Sequence, residues 1–248
     1  DGYETIWWPS HLMGWHPESV WTEDITPLAK FQPNPHVWFD PLVMMGAVGA
    51  ATEKIKVGVV VTDILTHHPA VLAQTALTLD HVCKGRAIIG LGSGEQLNVE
   101  PYGMEWSKPV GHLDEALDLM RLMFTTQEKF DFDGEFYRLK DAVMGLAPYT
   151  PGGPPLWIAA HKPRMLGITG RKGDGWLPTK MLPHASPCPR QVGHRSLPRD
   201  GGHVAGAVRE RRGVGREGAV GDRYGDGPRQ VVWKRLDDEL VALLTCAD

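Results

Sequence analysis

Residues 87–103 read AIIGLGSGEQLNVEPYG, an apolar run that enters a glycine-rich turn, and the reading of that turn decides the fold. A dinucleotide loop of an open doubly wound sheet needs G-x-G-x-x-G leading straight into a helix, so that amide groups and helix dipole face the pyrophosphate. Here Gly90 and Gly92 are followed at the third position by Glu95, whose carboxylate would repel a diphosphate. Pro101 and Pro109 further oppose a helix directly after the turn, and the clear helix waits until about Gly111. The lysine and hydroxyl of a P-loop are absent as well. The better account is a strand that ends at the mouth of a parallel barrel, where active sites gather, with Glu95 and Asn98 turned towards a ring-shaped ligand. The amide of Asn98 both donates and accepts, which suits a flavin-like edge of alternating carbonyl and N–H. A capped loop with a solvated Glu95 is the purely structural alternative.

The flanking sequence repeats the same grammar. KVGVVVTD (residues 56–63) and AIIGLGSG (87–94) are β-branched runs without polar alternation, as expected of parallel strands covered on both faces. YETIWWP near the start, LWIAAHK (156–162) and DGWLPT (174–179) are weaker strand candidates. Asp40-Pro41 reads as an N-cap and first-turn proline before LVMMGAVGAAT, and Pro69 opens AVLAQTALTLDHVCK, closed by Gly85; both helices read as buried connectors. In HLDEALDLMRLMF the residues Leu113, Ala116, Leu117, Met120, Met123 and Phe124 fall on one helical face, with Asp114, Glu115, Asp118 and Arg121 opposite. KFDFDGEFYRLKDAVMGLAPY, with Asp-Gly as turn, reads as a hairpin in a long loop. The alternation predicts an α/β fold, and the loop elaboration tilts the choice from an open sheet towards a (β/α)₈ TIM barrel.

Composition removes several function classes. The chain has 248 residues, 42% of them hydrophobic, and a net charge of −4, so no global basic field draws it to nucleic acid or an anionic membrane. No apolar run has the length of a membrane span and no leader opens the chain, which gives a cytoplasmic expectation. Cys83, Cys188 and Cys246 are far apart and odd in number, suggesting neither a disulfide framework nor a zinc knuckle. The pair His67 and His68 lacks a carboxylate or cysteine at ligand spacing, so no metal is expected.

From about Leu182 the character changes. The stretch after residue 183 contains no Ile, Phe or Met and is dense in Arg, Gly, Pro and His, a composition poorly able to bury a core. The expected division is therefore 1–181 as the catalytic-type domain and 182–248 as an irregular tail, with one amphipathic helix near Trp233 to Thr245. A basic arm for an anionic partner is the functional alternative for this tail.

HPAVLAQTALTLD, GRAIIGLGSGEQLN, PYGMEWSKPVGHLDEAL and LWIAAHKPRMLGITGRKGDGWLPT together resemble the luciferase-like superfamily of flavin-dependent oxidoreductases. Within it they look most like the branch that uses the deazaflavin coenzyme F420, and EPYGMEWSKPV and AAHKPRML resemble the mycobacterial phthiodiolone ketoreductases. The resemblance covers most of residues 1–181. It implies a barrel of the bacterial luciferase type in which this chain lacks the first and last strands, either as a truncated and catalytically impaired fragment or through a shifted reading frame.

The resemblance also implies roles. His11 in PSHLMGW fills the histidine position of a family Asp-His pair, with Ser10 in place of the acid, and would serve as donor or general acid beside Glu95. A non-proline cis peptide behind the cofactor ring falls at Val59–Val60 on alignment. Asn98 completes the ring contacts. Ala160, His161, Lys162 and Pro163 match the segment that binds the cofactor's phosphate-bearing tail, with Arg164 adding charge. Trp15 would wall the pocket and Thr179 would lie near substrate. The implied reaction is hydride transfer between reduced F420 and a carbonyl or activated double bond of a small-molecule or lipid-like substrate. An FMN-dependent monooxygenase is the alternative, and a homodimer is compatible with either.

Overall fold

The computed structural model describes residues 2–178 together with the backbone of residues 244–246. Five parallel strands follow one another across a curled sheet: β1 (Tyr3–Trp8), β2 (Lys56–Asp63), β3 (Ala87–Gly92), β6 (Leu156–Ala159) and β7 (Gly175–Leu177). A hairpin of β4 (Phe130–Asp133) and β5 (Arg138–Ala142) stands apart as a second sheet. The connections are helices α1 (Pro41–Ala51), α2 (Pro69–Val82), α3 (Pro109–Thr125) and α4 (Pro163–Lys172). All five expected strands are therefore consecutive parallel neighbours, the arrangement of part of a (β/α)₈ barrel.

Each helix starts for a legible reason. Proline occupies the first turn of all four, where its missing N–H costs nothing. Asp40 caps α1 by accepting from the N–H groups of Leu42 and Val43, and the His68 ring accepts from that of Ala70 at the head of α2. The helices α1 and α2, expected to be buried connectors, bury one face only: Val43 and Val71 are 67% and 56% exposed. The face of α3 that periodicity picked out is buried throughout, with Leu119 added to it. The opposite-face carboxylate of Glu115 accepts from the backbone N–H groups of Glu135, Phe136 and Tyr137, which pins the expected hairpin onto α3.

The two faces of the sheet are packed differently. Val57, Val59, Ile89, Leu91, Leu156 and Ile158 belong to the large core shared with the helices, whereas Trp7, Ile88 and Leu177 form a separate cluster with Val60, Val61, Trp157 and Ala159. Three glycines make that second cluster feasible. Trp7 lies opposite Gly58, and Trp157 lies between Gly90 and Gly175. A Cβ on Gly58 or Gly175 would overlap the facing indole. The two tryptophan rings meet with centroids 5.6 Å apart at 45°, a tilted contact worth about 0.5–1.5 kcal/mol beyond its burial.

Strand β2 carries a bulge. Val59 pairs with Ile89 and Thr62 with Leu91, so Val60 and Val61 together oppose Gly90. The non-proline cis peptide lies within this bulge at Val60–Val61, one residue later than the Val59–Val60 position expected from alignment. Gly90 is required here, because a Cβ would run into the Val59 carbonyl that the bulge pushes across.

A short strand β8 (Leu244–Cys246) pairs antiparallel with the outer edge of β1. This corrects one expectation: Leu244 and Thr245 are strand rather than the end of a helix. The open backbone groups of the β1 edge supply the hydrogen-bond partners that composition could not reveal. The proposed boundary at 181/182 and the rest of the tail lie outside the described residues.

Candidate active site at the strand ends

The carboxyl ends of β1, β2 and β3 place three loops at one mouth. His11 follows β1, Asp63 ends β2, and Glu95 and Asn98 follow β3, the latter in a short 3₁₀ turn Gln96–Asn98. The residues that sequence reading selected as His11, Glu95 and Asn98 are brought together. Asn98 is 4% exposed and is the hub. Its Oδ1 accepts from the N–H of Leu12 at 2.8 Å and of Met13 at 3.0 Å, and its Nδ2 donates to Glu95 Oε2 at 3.0 Å. The same Nδ2 lies 3.2 Å from His11 Nδ1, and Glu95 Oε2 lies 3.5 Å from that nitrogen.

The asparagine expected to contact a cofactor ring therefore has its whole amide engaged within the protein. It braces the loop after β1 against the loop after β3. His11 is mostly buried, with the tilted rings of Trp38 at 4.7 Å and Trp15 at 5.8 Å between centroids. Burial holds the imidazole below its ordinary pKa, against the opposing pull of Glu95 and Asp63. Trp15, expected as a pocket wall, is 58% exposed beside His11. Asp63 is buried, its Oδ1 accepting from the N–H groups of Leu65 and Thr66 and from the Thr66 hydroxyl.

Val59 is fully buried towards the helical layer, so the pair that belongs to the inner face is Val60 and Val61, each half-buried. Sequence reading missed Val61, Asp63 and Trp38. Asp63 was discoverable as the first residue of D-x-x-T before a helix-opening proline, an Asx-type turn. Trp38 carried no signal, since it sits in the irregular loop between β1 and α1, held by its indole N–H to the Pro35 carbonyl.

The second half of the site follows β6. Ala160 is buried and its carbonyl accepts from the Trp176 indole at 2.8 Å. His161, Lys162 and Pro163 are exposed, as is Arg164. Lys162 is the N-cap of α4 and makes no side-chain cap, and this helix head follows the carboxyl end of β6. Thr179 lies outside the described residues. His67 bonds to the Thr66 hydroxyl at 2.9 Å and His68 caps α2; among the described residues no group of three metal-ligating side chains occurs.

A parallel α/β barrel arrangement with a histidine, a carboxylate and an apolar bulge at the strand ends defines an enzyme-like mouth of the TIM-barrel class. Residues 1–186 match the family described as luciferase-like monooxygenase, and the chain belongs to that family. It is 38% identical over 179 residues to the phthiodiolone/phenolphthiodiolone dimycocerosates ketoreductase of Mycobacterium sp. (strain JLS), covering 71% of this chain and 47% of that protein. It is 40% identical over 144 residues to the F420-dependent glucose-6-phosphate dehydrogenase of Nocardia farcinica (strain IFM 10152), covering 56% of this chain and 42% of that protein. The chain thus spans about half the length of the curated relatives it matches. Among solved structures, an F420-dependent secondary alcohol dehydrogenase in complex with an F420-acetone adduct shares the fold with a TM-score of 0.58 at 24% identity, over 71% of this chain and 49% of that one. No helix among the described residues is long and apolar enough to cross a membrane.

Proposed function

We propose that this chain carries the cofactor-facing part of an F420-dependent oxidoreductase that transfers hydride between the deazaflavin and a carbonyl or activated double bond. The observation that carries the reading is the His11–Asn98–Glu95 cluster at the carboxyl ends of β1 and β3, beside the half-buried Val60–Val61 bulge of β2. These residues fit a planar heterocycle with an anionic tail. The bulge offers an apolar wall, His11 and Glu95 a polar edge, and Lys162, Arg164 and the uncapped amides of α4 an anion-binding turn. When bound, the coenzyme supplies or accepts the hydride at its C5. The chain's own part is to orient and exclude water: Val60 and Val61 cover one ring face, and Trp15 and Trp38 shield His11. His11 or Glu95 then exchanges a proton with the substrate oxygen.

The names of the relatives support F420, and their carbonyl and sugar-phosphate substrates support a reductase or dehydrogenase rather than oxygen chemistry. The family description leaves an FMN-dependent monooxygenase as the second reading. Titration of the full chain with F420 and, separately, FMN tests both, read by quenching of cofactor fluorescence. Saturable F420 binding that weakens in Lys162→Ala/Arg164→Ala supports the proposal. Binding of FMN alone, with oxygen consumption, would move the assignment to the monooxygenase, and binding of neither would remove it.

A further inference from the structure

The amide of Asn98 does more than brace two loops. Backbone N–H groups only donate, and those of Leu12 and Met13 both meet the same Asn98 atom. That atom must therefore be Oδ1, which fixes Nδ2 as the end facing His11 Nδ1 and Glu95 Oε2. A donor at 3.2 Å from Nδ1 requires a lone pair there. We infer that Asn98 is a positioning residue that holds neutral His11 in the tautomer with its proton on Nε2, so that His11 meets a substrate oxygen as a hydrogen-bond donor.

The surroundings agree. Among the described residues no hydrogen bond engages His11 Nε2, which leaves that N–H for a ligand. The charged groups that face the ring are Glu95 and Asp63, and the indoles of Trp15 and Trp38 stand beside it. A proton placed on Nδ1 would confront the Asn98 NH₂ donor, and its carboxylate alternative, Glu95, lies farther off at 3.5 Å. Burial in the same direction favours the neutral ring. The chemical meaning rests on the proposed function: in its neutral form His11 polarises a carbonyl oxygen and has no free lone pair at Nε2 with which to deprotonate an alcohol. Proton uptake and release in the resting site then fall to Glu95.

The test uses the full chain labelled with ¹⁵N-histidine, without cofactor, and assigns the His11 ring signals as those lost in His11→Asn. Above the titration of His11, the expected spectrum shows an unprotonated-type Nδ1 and a protonated-type Nε2. In Asn98→Asp, one carboxylate oxygen keeps the Leu12 and Met13 bonds and the other accepts from the ring, so the proton moves to Nδ1. A wild-type His11 with Nδ1 protonated, or an even mixture of tautomers, overturns the inference whatever the behaviour of the Asn98 variant. A folded Asn98→Asp that keeps Nε2 protonated overturns it too, since Asn98 would then not be the cause. Failure of F420 to bind leaves this result standing, so the two readings fail separately.

Discussion

Around His11, both polar atoms of the Asn98 amide are bonded to other groups of the protein, and Asn98 is buried and the His11 ring mostly buried while Glu95 stays half exposed, whereas at the head of α4 the side chain of Lys162 is exposed and caps nothing. Both regions stand at the carboxyl ends of neighbouring parallel strands, yet one is closed on itself and the other is open. The closed region has its geometry set before any ligand arrives, which is what proton transfer and orientation require. The open region offers exposed positive charge at a helix head whose N-cap side chain makes no cap, and suits a flexible anionic tail. Stability should therefore reside in the first and binding affinity in the second.

The largest expected effect is the attempt to break the closed region. Asn98→Ala leaves the N–H groups of Leu12 and Met13 without their acceptor and removes the donor to Glu95. A buried unsatisfied group costs about 1–3 kcal/mol; these two N–H groups are only part-buried, and with the cavity left at buried Asn98 a loss of about 2–4 kcal/mol is expected by urea unfolding. Lys162→Ala, by contrast, should stay within roughly 0.5 kcal/mol of the wild type. Equal losses in the two variants would erase the distinction.

The scaffold beneath the closed region gives the next largest effect. Gly90→Ala places a methyl group against the Val59 carbonyl, a backbone atom that cannot rotate away. Such overpacking typically costs about 1–3 kcal/mol, measurable as a lowered midpoint of thermal unfolding. An unchanged midpoint would mean that the bulge relaxes freely.

How much of this could be read from sequence depends on which physical signal carried it. The parallel order of the five strands followed from unbroken apolar runs and proline-opened helices, because burial on both faces and first-turn proline are local demands. Gly90 and Gly92 were read inside the strand run 87–94 as well as in the glycine turn; they are two apart within β3 and so share its inner face, and in Gly90 and Gly58 the absent Cβ makes room for the bulge carbonyl and an indole. The register of the bulge was missed by one residue because three successive valines, Val59, Val60 and Val61, do not mark where pairing slips. Glu95 and Asn98 were picked from the glycine turn itself and His11 from family resemblance, and the structure brings the three together. That Asn98 would spend its bonds inside the protein was not, since its partners at Leu12 and Met13 are backbone groups that no sequence pattern announces.

The open region should reveal itself in binding. Removing Lys162 and Arg164 together takes away two charges able to make charge-assisted hydrogen bonds with an anionic tail. At about 1.4 kcal/mol per factor of ten, partly exposed contacts of this kind should weaken F420 binding by roughly tenfold or more, seen in fluorescence titration with unfolding free energy unchanged. A loss of stability in place of affinity would show that the turn is structural.

The smallest expected effect is a pH slope that separates the two regions. Burial lowers the pKa of His11 in the folded chain below the 6.5 of a free imidazole, and burial lowers that of His112 in the same direction. The unfolded chain then binds more protons just below pH 6.5 than the folded chain does. The stability contributed by the neutral rings is thus fully present above pH 6.5 and is lost as the pH falls through the folded-state values. Urea midpoints measured from pH 7.5 downwards should decline over that window in the wild type and in Lys162→Ala alike. His11→Gln should decline less steeply, because it keeps a neutral polar side chain at every pH while His112 continues to titrate. A slope in His11→Gln equal to that of the wild type would show that His11 is free to take up a proton in the folded state, and the closed region would then be no better insulated from solvent than the exposed turn at Lys162.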